Sequence, residues 1–372
     1  MRILQLIYEA PESPFGFGGA GVRAYEIYRR LSGRHSITLL SMKYPGARDS
    51  DREGLRYVYA GTETKSLPAS VLSYTLQASG YVRKQGDTFD VIVENFLPST
   101  PFFSRFLTRT PVVLQVQGIM ERHSLKKFTP IYSLPMALVE RFYPSLYETF
   151  IFVSGVTKEK VLARKKGRVN FCPVIPNGVN DELLHVPPGE GDYILFLSRI
   201  DTYTKGLDLL VRAFELISHE FPGIRLVLAG YEFNSFRDLI AAVTPSVRGK
   251  IVYSGFVTGE DKVRLLSGAK FFVLPSRHES APISILEAAA CGKPVLVSDI
   301  PELHFVREKG FGTGFRSGSA DDLAEKMRVM LKNESLRQRL GEKGRECAKH
   351  FSWETVALQF EDALEQIIAS AR

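Results

Sequence analysis

PSRHESAPISILEAAACGKP, residues 275–294, decides how this chain is read. Two carboxylates, Glu279 and Glu287, stand with seven residues between them. The apolar run before Pro275 predicts a strand, so Glu279 falls in the loop after it and Glu287 in the first turns of the helix that follows. Ala288, Ala289, Ala290 and Gly292 are small enough to let that helix lie close against a sheet. A helix start offers free N–H groups and a positive dipole end to an anion. A nearby carboxylate accepts from sugar hydroxyls, which carry protons that a phosphate lacks. Taken alone, the spacing fits an ordinary capped and solvated helix just as well.

Outward from this stretch, short β-branched runs alternate with amphipathic helical patterns, the rhythm of a doubly wound parallel sheet. Strands are expected at 193–198, 225–229, 251–254, 271–274 and 295–298. Helices are expected at 207–217, 260–266, 285–291, 320–332 and 335–350, with a last amphipathic helix at 353–370. Residues 173–192, rich in Pro, Gly and Asn, read as a linker. Before it the rhythm already runs once, with strands at 3–8, 37–41, 56–60, 91–93, 112–117 and 150–153 and helices at 22–31, 72–83 and 158–164. The expectation is two Rossmann-like α/β domains, 1–175 and 176–352, with a closing helix at 353–372 and a central cleft where strand ends face each other.

Composition bounds the function. Apolar residues make up 44% of 372 and charged residues 24%, as in globular proteins and not in disordered ones. No apolar run approaches the ~20 residues of a membrane span. The stretch 3–8 is too short for a leader and reads as a first strand. Cys172, Cys291 and Cys347 lie far apart without metal-binding or redox spacing, which predicts a reduced, cytoplasmic protein. Net charge is +7, but residues 1–180 carry 24 Lys/Arg against 14 Asp/Glu, so the excess sits in the first half. An anionic partner for that half is one reading and a solvated basic face the other.

Further motifs fall in order around the opening stretch. Glu279, Glu287 and LEAAACGKPVLVSDIPEL resemble the paired glutamates and following segment of the family 4 glycosyltransferases, retaining enzymes of the GT-B fold. SRIDTYTKGLDLLVRAF, residues 198–214, resembles the segment that gives that family an arginine and a lysine for the donor diphosphate, here Arg199 and Lys205. Gly255, Phe256 and Val257 resemble the loop that frames the nucleobase, IPNGVN at 175–180 resembles the hinge with Asn177, and FSWE at 351–354 resembles the start of the closing helix. The resemblance implies that Glu279 contacts the transferred sugar and Glu287 the ribose. Ser280, Ala281, Pro282 and Ile283 then line the donor at the helix start. By the same resemblance the glycine-rich loop FGGAG brings Gly18 and Gly19 to the diphosphate.

The chemistry agrees. A departing nucleoside diphosphate gains negative charge, and without a metal fixed cations must stabilise it. Arg serves as a bidentate fork and Lys as a point charge. Asp49–Asp51, the single Asp-x-Asp, reads as loop, so neither a metal nor any other cofactor is expected. Gly16, Gly18 and Gly21 satisfy GxGxxG but begin several residues after the first strand, and the second strand leads to Met42 and Lys43 instead of an acid, so the dinucleotide reading fails. Two positions depart from the family. Gln117 stands where a histidine is usual near the reacting centre, and Pro282 removes one backbone donor.

The sequence thus predicts transfer of a hexose from a nucleotide diphosphate sugar, a UDP-sugar ahead of a GDP-sugar, to a glycan or lipid-linked acceptor. A nucleotide-sugar hydrolase or epimerase, and a binding module without transfer, are the alternatives. Basic residues at 158–168, with Arg122, Lys126 and Lys127, predict peripheral contact with an anionic membrane at its cytosolic face or with an anionic acceptor. No nucleic-acid motif accompanies them.

Overall fold

The fold comes from a computed structural model describing residues 1–14, 16–121, 129–187, 189–232 and 236–371. Arg122, His123, Lys126 and Lys127 lie outside the described residues. The chain divides into two compact units: Met1–Asn177 with Trp353–Arg372, and Gly178–Ser352.

The first unit holds seven strands, β1 (Arg2–Leu6), β2 (Ser36–Met42), β3 (Ser50–Arg52), β4 (Leu55–Ala60), β5 (Val91–Asn95), β6 (Val112–Val116) and β7 (Phe150–Phe152). Their order is β3-β4-β2-β1-β5-β6-β7. All neighbours run parallel except β3, which pairs antiparallel with β4. Asp51 therefore lies in an edge strand and not a loop, while Asp49 stands just before that strand and accepts from the Tyr59 N–H at 2.9 Å. β1 lies between β2 and β5, so Ile3, Leu4 and Leu6 are fully buried, as two-sided burial demands, and the buried Gln5 among them is satisfied by the Leu6 and Val93 carbonyls and the Tyr28 hydroxyl.

Helices α1 (Gly19–Leu31), α2 (Leu67–Gln85), α3 (Pro130–Phe142) and α4 (Gly155–Leu162) belong to this unit. α4 is capped by the Ser154 hydroxyl, which accepts from the Thr157 N–H at 3.2 Å. It ends at Leu162, so Lys165, Lys166 and Arg168 lie beyond it and the expected helix at 158–164 is shifted toward the N-terminus.

Six strands build the second unit: β8 (Tyr193–Leu197), β9 (Arg225–Ala229), β10 (Ile251–Tyr253), β11 (Phe271–Leu274), β12 (Val295–Ser298) and β13 (Gly312–Phe315). They run parallel in the order β10-β9-β8-β11-β12-β13. Helices α5 (Leu207–Ile217), α6 (Gly259–Gly268), α7 (Ile283–Ala290), α8 (Ala320–Lys332) and α9 (Glu334–Ala348) cover the sheet. Phe196, Phe214, Phe271 and Phe272 are completely buried in its core. The small residues of α7 serve α9: a Cβ on Gly341 would sit 2.1 Å from the Gly292 carbonyl, and one on Gly344 only 3.3 Å from Ala289. A last helix, α10 (Trp353–Ala371), returns to the first unit, where Phe360 meets Tyr28 edge-on at 5.8 Å and Glu361 binds His35 at 2.5 Å.

Candidate functional site

In the second sheet the winding reverses at β8, which has β9 on one side and β11 on the other. Ligands of open α/β sheets bind at the carboxyl ends of strands at such a switch point. The segments leaving β8 and β11 carry the four charged residues singled out from the sequence.

After β8 the chain turns through a loop held by Asp201, which is almost fully buried. Its carboxylate accepts from the Thr204 N–H at 2.9 Å, and its carbonyl accepts from the Lys205 N–H at 3.1 Å. Arg199 reaches the same carboxylate at 3.4 Å, with its side chain 41% exposed. Gly206 then opens α5 with φ +69°, and a Cβ there would lie 2.0 Å from the Pro275 carbonyl. Only glycine allows both the left-handed conformation and that approach.

The loop after β11 is stitched to this one. The Arg277 N–H donates to the Thr204 carbonyl at 2.9 Å, and its guanidinium forks onto Asp208 with two bonds of 2.7 Å while stacking 4.7 Å from the Tyr203 ring. Asp208 holds the Arg277 guanidinium above its ordinary range. With the two loops clamped, Lys205 Nζ meets Glu279 Oε1 at 2.6 Å, and the Ser276 hydroxyl donates to the same oxygen at 2.7 Å. Both partners are shielded, Glu279 nearly completely.

Ser280, Ala281 and Pro282 are half-buried and lead into Ile283, the first residue of α7. One helical turn later Glu287 is mostly buried and binds Lys262 Nζ, from the first turns of α6, at 2.6 Å. Gly255, at φ +71°, follows β10 and passes its carbonyl to the Gly230 N–H at 2.8 Å. Phe256 next to it is 63% exposed, a bare aromatic face, and Val257 packs on the core.

Residues of the first unit are placed differently. Gly18 precedes α1 and Gly19 begins it, but a side chain already holds the amides there: Glu9 Oε2 accepts from the Gly18 N–H at 2.9 Å and from the Gly21 N–H at 2.5 Å. Gln117 donates to Asn95 Oδ1 at 2.8 Å. Asn177 is buried, and its side-chain oxygen accepts from the buried Arg23 guanidinium at 3.0 Å. Beside Asn95, Glu94 is sealed in the core, accepting from Tyr143 at 2.5 Å and Tyr147 at 2.8 Å, and burial raises its carboxyl above the usual range.

Of the basic cluster at 158–168, Lys160 binds Glu121 at 2.9 Å and Arg164 binds the same carboxylate, while Lys165 is turned onto the carbonyls of Lys166 and Arg168. The sequence reading missed Glu9, Asp201, Asp208, Lys262 and Arg277. Asp201 acts on neighbours two to four residues away and the others through partners nine or more residues away, and although Asp201 and Asp208 lie inside the 198–214 segment and Arg277 inside 275–294, nothing in those motifs marked them.

Among the described residues no helix is long and apolar enough to cross a membrane, and no group of three or more His, Cys, Asp or Glu is arranged to hold a metal.

Comparison with known proteins follows the same outline. The family model "Glycosyltransferase Family 4" matches residues 17–183, and "Glycosyl transferases group 1" matches residues 185–347. An uncharacterized glycosyltransferase of Methanocaldococcus jannaschii is 30% identical over 223 residues, 59% of this chain and 60% of that protein. The phosphatidyl-myo-inositol mannosyltransferase of Mycobacterium leprae is 29% identical over 205 residues, 53% of this chain and 54% of that protein. The match thus spans little more than half the length of these curated relatives. Among solved structures, sucrose-phosphate synthase from Thermosynechococcus elongatus superposes with TM-score 0.81 at 20% identity, covering 99% of both chains. HepE of Anabaena, in complex with UDP and glucose, gives TM-score 0.75 at 17% identity, covering 98% of this chain and 99% of that one. The fold is GT-B.

Proposed function

This chain belongs to the group 1 glycosyltransferases, and on that premise we propose that it transfers a hexose from a nucleotide diphosphate sugar to a glycan or lipid-linked acceptor, retaining configuration and using no metal. The observation that carries the reading is the Lys205–Glu279 contact of 2.6 Å at the switch point of the second sheet. A lysine at a strand end is an ordinary surface cation. A lysine shielded, clamped by Asp201 and Gly206, and aimed at a buried carboxylate is a prepared charge.

The residues divide the donor between them. Arg199 and Lys205 would take the diphosphate, whose negative charge grows as the glycosidic bond breaks; cations fixed in advance lower that barrier without reorganising at the moment of reaction. A phosphate reaching Lys205 gives its ammonium a second anion, which releases Glu279 to accept from a sugar hydroxyl. Glu287, one turn into α7, would accept from the ribose hydroxyls in the same manner. The exposed Phe256 ring offers a stacking face for the base. A UDP-sugar is placed ahead of a GDP-sugar, the nucleotide named for the HepE complexes being UDP. In the first unit Gln117 stands on the acceptor side as a neutral hydrogen-bond partner. The acceptor is taken as a glycan or lipid-linked sugar, and the cytosolic membrane face, contacted peripherally, as the place of work. One relative is named an N-acetylgalactosaminyltransferase acting on a diphospho-undecaprenol substrate.

The test is a transfer assay. Radiolabelled UDP-hexoses offered with lipid and glycan extracts should give a labelled acceptor product, equal in the presence of EDTA and abolished in Glu279→Ala. Free sugar as the sole product would make the protein a hydrolase, and complete loss in EDTA restored by Mn²⁺ would place a metal at the leaving group.

A further inference from the structure

α3 is built inside out. Over its thirteen residues Ser133 alone is buried. On a helix of 3.6 residues per turn, Ile131, Leu134, Leu138 and Phe142 fall within a single stripe about 100° wide, and Ser133 and Glu140 fall on the opposite side. The polar side faces the protein: Glu140 accepts from the N–H groups of Met120 at 2.6 Å and Glu121 at 2.8 Å. The apolar side faces out, with Ile131 76%, Leu134 58%, Leu138 59% and Phe142 55% exposed. The band extends past the helix end, where Phe103 packs on Tyr143 at 5.2 Å and Phe106 is 62% exposed. An amphipathic helix on a water-soluble surface has the reverse arrangement, because bare aliphatic side chains forfeit the free energy of burial.

Charge says what covers the band. Arg141 lies 5.6 Å from the Phe142 ring, a cation riding on the apolar stripe, while Arg105, 6.0 Å from the Phe106 ring, is already paired with Glu148 at 3.2 Å. Glu140, the acid on α3 itself, is turned inward, and the nearby Glu121 is tied to Lys160 and Arg164. Two such faces from two copies would set arginine against arginine. An anionic bilayer complements both features: aliphatic stems enter the acyl boundary while the Arg141 guanidinium stays at the headgroups. We propose that α3 and the Phe103–Phe106 turn form a monotopic docking surface that lies in the interface of an anionic lipid bilayer. This deepens the peripheral-membrane reading above and moves it from the basic stretch at 158–168, where Lys160 and Arg164 already answer Glu121, to a face that no acid neutralises among the described residues of α3.

The experiment is vesicle flotation of the full chain with phosphatidylcholine vesicles, with and without phosphatidylglycerol. The wild type should float with the anionic vesicles at low salt. The Leu134→Asp/Leu138→Asp variant should lose that binding by about tenfold or more, with an unchanged unfolding temperature, because both side chains point to solvent. Arg141→Ala should weaken anionic binding and leave UDP affinity alone, so failure here is distinguishable from failure of the donor reading. Flotation unchanged in the double variant, no flotation of the wild type at low salt, or a wild-type dimer that the double variant converts to monomer would each overturn the proposal.

Discussion

Lys205 and Glu279 hold each other in place, and the energetics of that contact separate structure from function. Removing Lys205 leaves Glu279 shielded with the Ser276 hydroxyl still donating to it, and breaking a buried pair from one side costs about 3–5 kcal/mol. Lys205→Ala should therefore lower stability as well as turnover. Adding Glu279→Gln removes the stranded charge, so the double variant should regain most of the lost stability in denaturant unfolding while sugar transfer stays abolished. Recovery of both, or of neither, would mean that the pair is an ordinary structural bridge. Lys293, in the CGKP segment after α7, titrates through burial instead of through an ion pair. It is buried with its ammonium on the Gly189 carbonyl, and desolvation lowers its pKa from 10.5 to about 8. Between those values the unfolded chain keeps a proton that the folded chain has released, so this group makes stability rise with pH across that window. Thermal unfolding from pH 8 to 10 should show the wild type gaining on Lys293→Met, and parallel curves would contradict it. Arg199, Lys205, Glu279 and Glu287 were legible in the sequence because each sits in a contiguous motif. Lys262 and Arg277 were not, since pairing across 25 and 69 positions appears only once the strands are ordered.

Elements were legible where their periodicity was carried by burial. The helix at 320–332 was read to the residue, and the central strands of both sheets within one or two positions. Of the strands and longer helices among the described residues, three escaped. β13 is Gly-Thr-Gly-Phe, with too few side chains to alternate; its Gly312 is required because a Cβ would lie 2.2 Å from the Val295 carbonyl. β3 is polar because it is an edge strand with little to bury. α3 contains Pro130 and Pro135, which read as breakers, and its apolar face stays exposed among the described residues. Turns hold the elements to the site. Gly206→Ala should force apart the loops after β8 and β11, since its Cβ meets the Pro275 carbonyl at 2.0 Å and its φ is +69°. The expected cost is about 1–3 kcal/mol for the strained backbone alone, with donor affinity falling alongside because Lys205 is its neighbour. Unchanged stability and affinity would show that the loop junction does not position the lysine.

At the scale of the molecule, two parallel sheets, a chain that leaves the first unit at Asn177 and returns to it at Trp353, and family models tiling residues 17–183 and 185–347 agree on the architecture. The basic excess of residues 1–180 proved a poor guide to where charge is available. Part of it is spent on internal partners, Lys160 and Arg164 on Glu121 and Arg23 on the Pro176 carbonyl, and sequence counts cannot separate spent charge from free. Gly18 makes the same point for backbone groups: its N–H was expected to serve a phosphate and is held by Glu9. The second unit is where the account places the nucleotide, and calorimetric titration of UDP tests that placement most directly. The wild type should bind UDP without added metal, and Glu287→Ala and Arg199→Ala should each weaken binding by about 1.5–3 kcal/mol, the value of a charged hydrogen bond, with folding intact. Equal UDP affinity in the wild type and both variants would contradict the account.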